Sequence, residues 1–257
     1  MKIVILLTGT VNIGKMNLTK VSDPEIRIKQ YTEAISFYLK NTDLNIVFVE
    51  NSNFQINKLE KFNNSNRLEI LTFKGNNYDP ILGKGLGELR CINYAITNSK
   101  FIKDSNFIFK ITGRIIINNI NKYLDFLMKN PDINLLIDLK DNLRVCESKL
   151  FGFSLTFVPD YLLKYNDILD DSKRVFFEHI LAKASLDAIA NGYRYSAFPY
   201  YPSLRGISGS NGQTYNTSFL KRFALNSIYK LIYFIKYNQD KRLQNEIKKL
   251  DLIEFKK

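Results

Sequence analysis

The chain has 257 residues, 45% of them hydrophobic and 13% aromatic, with 19 Phe, 15 Tyr and no Trp, a content that excludes a disordered chain and suits one large core. Lysine and arginine total 37 against 25 Asp and Glu, a formal net charge of +12, and residues 217–257 alone carry ten Lys/Arg against four Asp/Glu, half of the excess. Such a patch attracts nucleic acid, anionic lipid or phosphate-rich substrates, and charge alone does not choose among them. Two cysteines, Cys91 and Cys146, and a start without a signal-peptide pattern predict a reducing, cytoplasmic setting, and no apolar run reaches spanning length.

The first half alternates short β-type runs with helical patterns, which predicts an α/β fold, a sheet with helices on its faces. Strands are predicted at Lys2–Leu7, Asn45–Val49, Leu68–Phe73, Phe107–Ile111, Ile133–Ile137 and Phe151–Phe157. Between the first two, Ser22, Asp23, Pro24 and Glu25 form a capping-box pattern, followed by Ile28, Tyr31, Ile35, Tyr38 and Leu39 on one helical face. A second helix is expected from near Gly87, a third from about Asn119 to before Pro131, and another from Arg174 to Asn191, ended by Gly192. Residues 217–237 read as an amphipathic helix with Leu220, Phe223, Ala224, Ile228, Leu231, Ile232 and Ile235 as its apolar set. It would cover the core, form a dimer seam or dock on an anionic membrane.

The first strand runs into Thr8, Gly9 and Thr10 and the second into Glu50, Asn51 and Ser52. Ligands of open α/β sheets bind at that carboxyl edge, where Gly9 allows close approach and Glu50 or Asn51 would read a base and ribose; ordinary turn chemistry is the alternative. Gly83–Glu88 puts Lys84 and the amides around Gly85 at a helix start, an arrangement that suits an anion unless it is a plain surface turn. Lys110, Thr112 and Arg114 follow a buried run and project two cations and a hydroxyl from a strand end, either toward a diphosphate or into a structural ion pair. Glu178 and His179, the chain's one histidine, begin a helix behind Phe176 and Phe177 and are the candidate general bases, with a cap or packing pair as the competing role. Arg205, Ser208, Gly209 and Ser210 lie in a Gly/Ser loop suited to folding over a ligand, or to linking the tail. No Asp-x-Asp occurs, so cations rather than Mg²⁺ or Mn²⁺ are expected to carry a leaving group's charge.

Taken in order, Thr8–Thr10, Glu50–Ser52, Gly83–Glu88, Phe109–Arg114, Phe151–Phe157, Phe176–His179 and Arg205–Ser210 resemble bacterial glycosyltransferases of capsule and lipopolysaccharide gene clusters, over roughly residues 1–215. The resemblance implies a glycosyltransferase A-like mixed sheet in a catalytic domain of residues 1–216, with 217–257 as a basic tail. It also implies a UDP- or CMP-linked sugar donor and a glycan or lipid-linked acceptor in surface polysaccharide biosynthesis. Many enzymes of that fold hold a metal with Asp-x-Asp near the place where Lys110–Arg114 stands here, and the departure implies metal-independent transfer. The competing functions are a sugar nucleotidyltransferase, which normally needs acidic metal ligands, and a basic nucleic-acid-binding protein, for which no recognition motif occurs.

Overall fold

The computed structural model describes residues 1–14, 21–62, 65–207, 212–215, 223–231 and 233–235. In chain order the first half contains β1 (Ile3–Gly9), α1 (Pro24–Asn41), β2 (Asn45–Glu50), β3 (Leu68–Thr72), α2 (Lys84–Asn98), α3 (Lys100–Lys103) and β4 (Phe107–Thr112). Then come β5 (Ile116–Ile117), α4 (Ile120–Lys129), β6 (Leu135–Leu136), β7 (Leu139–Lys140), β8 (Val145–Cys146), β9 (Leu150–Ser154), α5 (Phe157–Asp160) and α6 (Phe177–Ala190). Short strands β10 (Tyr195–Ser196), β11 (Leu204–Ile207) and β12 (Thr214–Tyr215) follow. Seven strands form one sheet in the order β10-β6-β9-β4-β1-β2-β3. β1 to β4 are mutually parallel where they pair, while β9 runs antiparallel to both β4 and β6.

Helices cover both faces, as the alternating sequence pattern predicts. On one, Ile28, Tyr31, Ile35 and Tyr38 of α1 and Ile120, Tyr123 and Leu127 of α4 pack on Ile5, Phe48, Phe107 and Phe109. On the other, Leu89, Ile92 and Ala95 of α2 and Ile180, Leu181 and Ala184 of α6 pack on Val4, Leu6, Val47 and Ile108. Burial on both faces is why β1 reads as an unbroken apolar run and every one of its residues is buried. The chain reverses its direction of sheet growth at β1, with β2 on one side and β4 on the other, so the carboxyl ends of β1 and β4 border a topological switch point.

Three helix ends differ from expectation. The cap of α1 is Asp23, whose carboxylate accepts the Glu25 and Ile26 amides, in place of the Ser22 box. α2 begins three residues earlier than expected, at Lys84, because Gly83 turns the chain at φ 83° where the Asp171 carboxylate leaves no room for a Cβ. α6 begins three residues later, since Asp170 caps a short 3₁₀ turn and Arg174 adopts a left-handed conformation.

The tail is helical at residues 223–231 and 233–235. The described members of the apolar set expected on this helix, Phe223, Ala224, Ile228, Leu231 and Ile235, do not cover the core. Asn226 accepts the Tyr201 amide at 3.0 Å, Tyr229 donates to Asp138 at 3.0 Å, and Tyr233 packs edge-on against Phe126. Phe223, Ile228, Leu231 and Ile235 are exposed, whereas Leu220 and Ile232 lie outside the described residues. Among the described residues no helix is long and apolar enough to cross a membrane.

Candidate functional site

A cleft of about 640 Å³, open to solvent, lies at the switch point and is walled by the residues that follow β1 and β4, by α1 and by the first turns of α2. Thr8, Gly9, Thr10, Lys84, Thr112 and Arg114 line it, six of the residues expected from sequence and drawn from three separated segments. The backbones after β1 and β4 touch: the Gly113 amide donates to the Thr8 carbonyl at 2.9 Å, and a Cβ at Gly113 would come within 2.7 Å of that oxygen.

Arg27 and Tyr31 of α1 form the opposite wall, and sequence reasoning had not assigned them to the site. Arg27 is 5% exposed, and its guanidinium donates to the Thr10 carbonyl at 2.5 Å, the Val21 carbonyl at 2.9 Å and the Tyr31 hydroxyl at 3.0 Å. The Tyr31 hydroxyl in turn accepts the Thr10 amide and donates to the Thr10 carbonyl. An arginine one helical turn before a tyrosine, on the edge of the predicted inward face, was the available signal. Arg114, half-buried, donates to the Ile207 carbonyl at 2.8 Å. Burial lowers its pKa, and the nearby Arg27 charge pushes in the same direction. Among the described residues neither guanidinium has a carboxylate within ion-pair distance.

Lys110 takes the other of its two expected roles. It is fully buried, forms an ion pair with Glu88 of α2, and donates to the Ser148 carbonyl at 2.7 Å. It lies beneath the cleft, and Glu88, with 21% of its side chain exposed, is the one carboxylate among the described residues that line the cleft. Glu50 and Asn51 are likewise spent internally. The Glu50 carboxylate accepts the Val11, Ser52 and Phe54 amides and the Ser52 hydroxyl, shaping the loops beside the cleft. Asn51 accepts from the Thr10 hydroxyl at 2.6 Å and donates to the Gly87 carbonyl, pinning α2 to β1. Gly85 is buried against Phe177.

Glu178 and His179 begin α6 as expected but do not line the cleft. His179 takes the capping role: its Nδ1 accepts the Phe176 amide at 3.0 Å and its ring stacks on Phe176. Glu178 accepts from the Ser148 hydroxyl at 2.7 Å, so Glu88, Lys110, Ser148 and Glu178 form one chain leading away from the cleft. Arg205 is exposed and lies over the Phe37 ring, away from the lining, because β11 pairs with β5 and carries it past α1. Ser208, Gly209 and Ser210 lie outside the described residues.

Two further lining groups carry no reactive chemistry. Burial and nearby Glu88 push the Cys91 thiol well above its ordinary range, so it stands as a protonated wall residue. Tyr78 lies under Arg90, and burial pushes its hydroxyl up to about 12. Among the described residues no group of three or more His, Cys, Asp or Glu side chains is placed to hold a metal ion.

No family model matches the chain, and no curated protein matches its sequence. Solved structures do. A cytidylyltransferase from Leptospira borgpetersenii aligns at 15% identity and TM-score 0.45, over 79% of this chain and 77% of that one. S. aureus TarS 1-349 in complex with UDP aligns at 17% identity and TM-score 0.44, over 77% and 58%. An active-site mutant of LgtC aligns at 8% identity and TM-score 0.43, over 77% and 74%. Every one of these scores is below 0.5, so the chemistry has to be read from the chain's own residues.

Proposed function

We propose that this protein is a glycosyltransferase that holds a nucleotide sugar in the cleft between β1 and β4 and passes the sugar to a glycan or lipid-linked acceptor of surface polysaccharide biosynthesis. One observation carries the reading: two guanidiniums without carboxylate partners among the described residues, Arg27 and Arg114, and the ammonium of Lys84 line a cleft at the sheet's switch point. The two guanidiniums, one buried and one half-buried, repel each other and together with the exposed Lys84 favour a bound anion such as a diphosphate.

In the proposed reaction the bond from the anomeric carbon to the phosphate oxygen breaks as the acceptor hydroxyl attacks that carbon. The nucleotide leaves as a phosphate anion, UDP or CMP according to the donor, onto Arg114 and Lys84, while Arg27 holds Thr10 and Tyr31 in place. Glu88 takes the hydroxyl proton, being the carboxylate within the cleft. A UDP- or CMP-linked donor fits this charge pattern, and no step needs a metal ion. Transfer at carbon is favoured over nucleotidyl transfer because the lining offers a single carboxylate, already paired with Lys110, where two acidic metal ligands would be wanted.

The test is to supply nucleotide sugars with and without EDTA and to follow release of the nucleotide. Release that survives chelation is the expected result. Pyrophosphate formed from a nucleoside triphosphate and a sugar phosphate, with no nucleotide-sugar turnover, would replace this reading with nucleotidyl transfer, and activity restored only by Mn²⁺ would refute metal independence.

A further inference from the structure

We infer that the outward face of the C-terminal helix docks on an anionic lipid bilayer. Exposed large apolar side chains concentrate there: Phe223 is 69% exposed, Ile228 51%, Leu231 59%, Phe234 61% and Ile235 48%. Five large apolar side chains in thirteen residues form a contiguous patch, and a soluble surface rarely leaves one uncovered.

The helix is held by its other side. Asn226, Tyr229 and Tyr233 make the contacts to Tyr201, Asp138 and Phe126. At roughly 3.6 residues per turn these three fall on the side opposite the apolar five, so the attachment turns the apolar side outward. The tyrosines leave the domain's own core covered without using the exposed residues.

Charge selects the occupant. Residues 217–257 carry a net +6, and exposed Lys230 sits within the patch's own helix. An apolar stripe within a basic stretch of sequence matches the two attractions a bilayer of anionic lipid offers: burial at the acyl boundary and a negative surface potential. A second copy of this chain carries the same net +6 in residues 217–257, and like charge disfavours pairing two such segments in a dimer seam. The inference stands apart from the sugar-transfer reading, since vesicle binding is measured with no donor present.

The experiment is co-sedimentation of the full chain with vesicles of phosphatidylglycerol and phosphatidylethanolamine, compared with phosphatidylcholine alone. The wild type should pellet with the anionic vesicles, and 0.5 M salt should weaken that several-fold. Leu231→Asp with Phe234→Asp should reduce partitioning at least about tenfold, with circular dichroism, thermal midpoint and solution mass unchanged. Should that pair unfold, Leu231→Ser with Phe234→Ser gives the same reading at lower strain. Equal partitioning by the variants, or equal binding to phosphatidylcholine, overturns the inference. A wild-type dimer that ignores vesicles and becomes a monomer in the variants overturns it in favour of a second copy.

Discussion

Replacing Lys110 by Met separates a structural cation from a ligand-binding one. The side chain is fully buried, pairs with Glu88 and donates to the Ser148 carbonyl. Methionine keeps most of the volume against Phe151, whose ring lies 5.3 Å from the ammonium, so the cavity contribution is small. What remains is an unpaired carboxylate and a carbonyl without its donor. Removing one partner of a buried pair costs about 3–5 kcal/mol, and because Glu88 has 21% of its side chain open to the cleft and can rehydrate, the expected loss is about 2–4 kcal/mol. For a chain of this size that lowers Tm by roughly 4–16 °C, readable by calorimetry or urea unfolding. Glu88→Gln strands the buried ammonium and should cost at least as much. The double variant, having no unpaired charge, should recover at least about 1 kcal/mol relative to the sum of the singles. Nucleotide affinity of the double variant should stay within about threefold of the wild type, since a charge-assisted phosphate contact would be worth about 1.5–3 kcal/mol, or more than tenfold. A stable double variant that binds nucleotide tenfold or more weakly would refute the placement of Lys110 beneath the cleft.

Arg114→Ala should weaken nucleotide binding by about ten- to 150-fold by calorimetry, since one charge-assisted contact is lost; unchanged affinity would leave Arg114 as no more than an anchor for the Ile207 carbonyl. Glu88→Gln should lower turnover by about 10²- to 10⁴-fold with donor affinity nearly kept, whereas Glu178→Gln should act through Ser148 and cost far less, and His179→Ala should change stability alone. The opposite order between the two glutamates would return the base role to Glu178. Burial works against the Glu147 carboxylate, but Lys149 and Lys140 outweigh it and hold its pKa below the ordinary glutamate value. Its folded pKa is therefore below its unfolded one, so its contribution is present above the usual glutamate range, about 4.3, and is lost as pH falls through and below that range. Glu147→Gln should flatten the acid limb of a stability-versus-pH curve, and an unchanged limb would contradict the assignment.

The parallel half of the sheet was legible because strands buried on both faces leave continuous apolar runs; β1, β2 and β4 start within a residue of their expected positions. The same property explains the misreading of Lys110. A lysine inside a doubly covered strand has no solvent face to reach, so it must find a buried partner, and that partner, Glu88, is 22 residues away on a helix whose start had been set too late. Sequence spacing does not reveal a pairing made by packing a helix on a sheet. Arg114, two residues past the end of β4, lies where the strand has stopped, and it does line the cleft. Glu50 and Asn51 occupy the expected strand end, but the loops around them needed acceptors for their own amides and hydroxyls. A polar residue at a sheet's carboxyl edge is therefore a ligand candidate only after the neighbouring backbone has been satisfied.

The buried and half-buried cations near the switch point divide by what faces them. Lys110 meets a carboxylate and a carbonyl, so its desolvation is offset within the protein. Arg27 and Arg114 meet carbonyl oxygens and a tyrosine hydroxyl, which satisfy individual N–H groups without forming an ion pair among the described residues. Neutral acceptors orient a guanidinium but do not cancel its field, and the burial of Arg27 strengthens that field relative to water. Two such groups lining one cleft raise each other's cost, and the lowered pKa of Arg114 has the Arg27 charge among its causes. An anion entering between them would relieve both at once, whereas a neutral or cationic ligand would relieve neither.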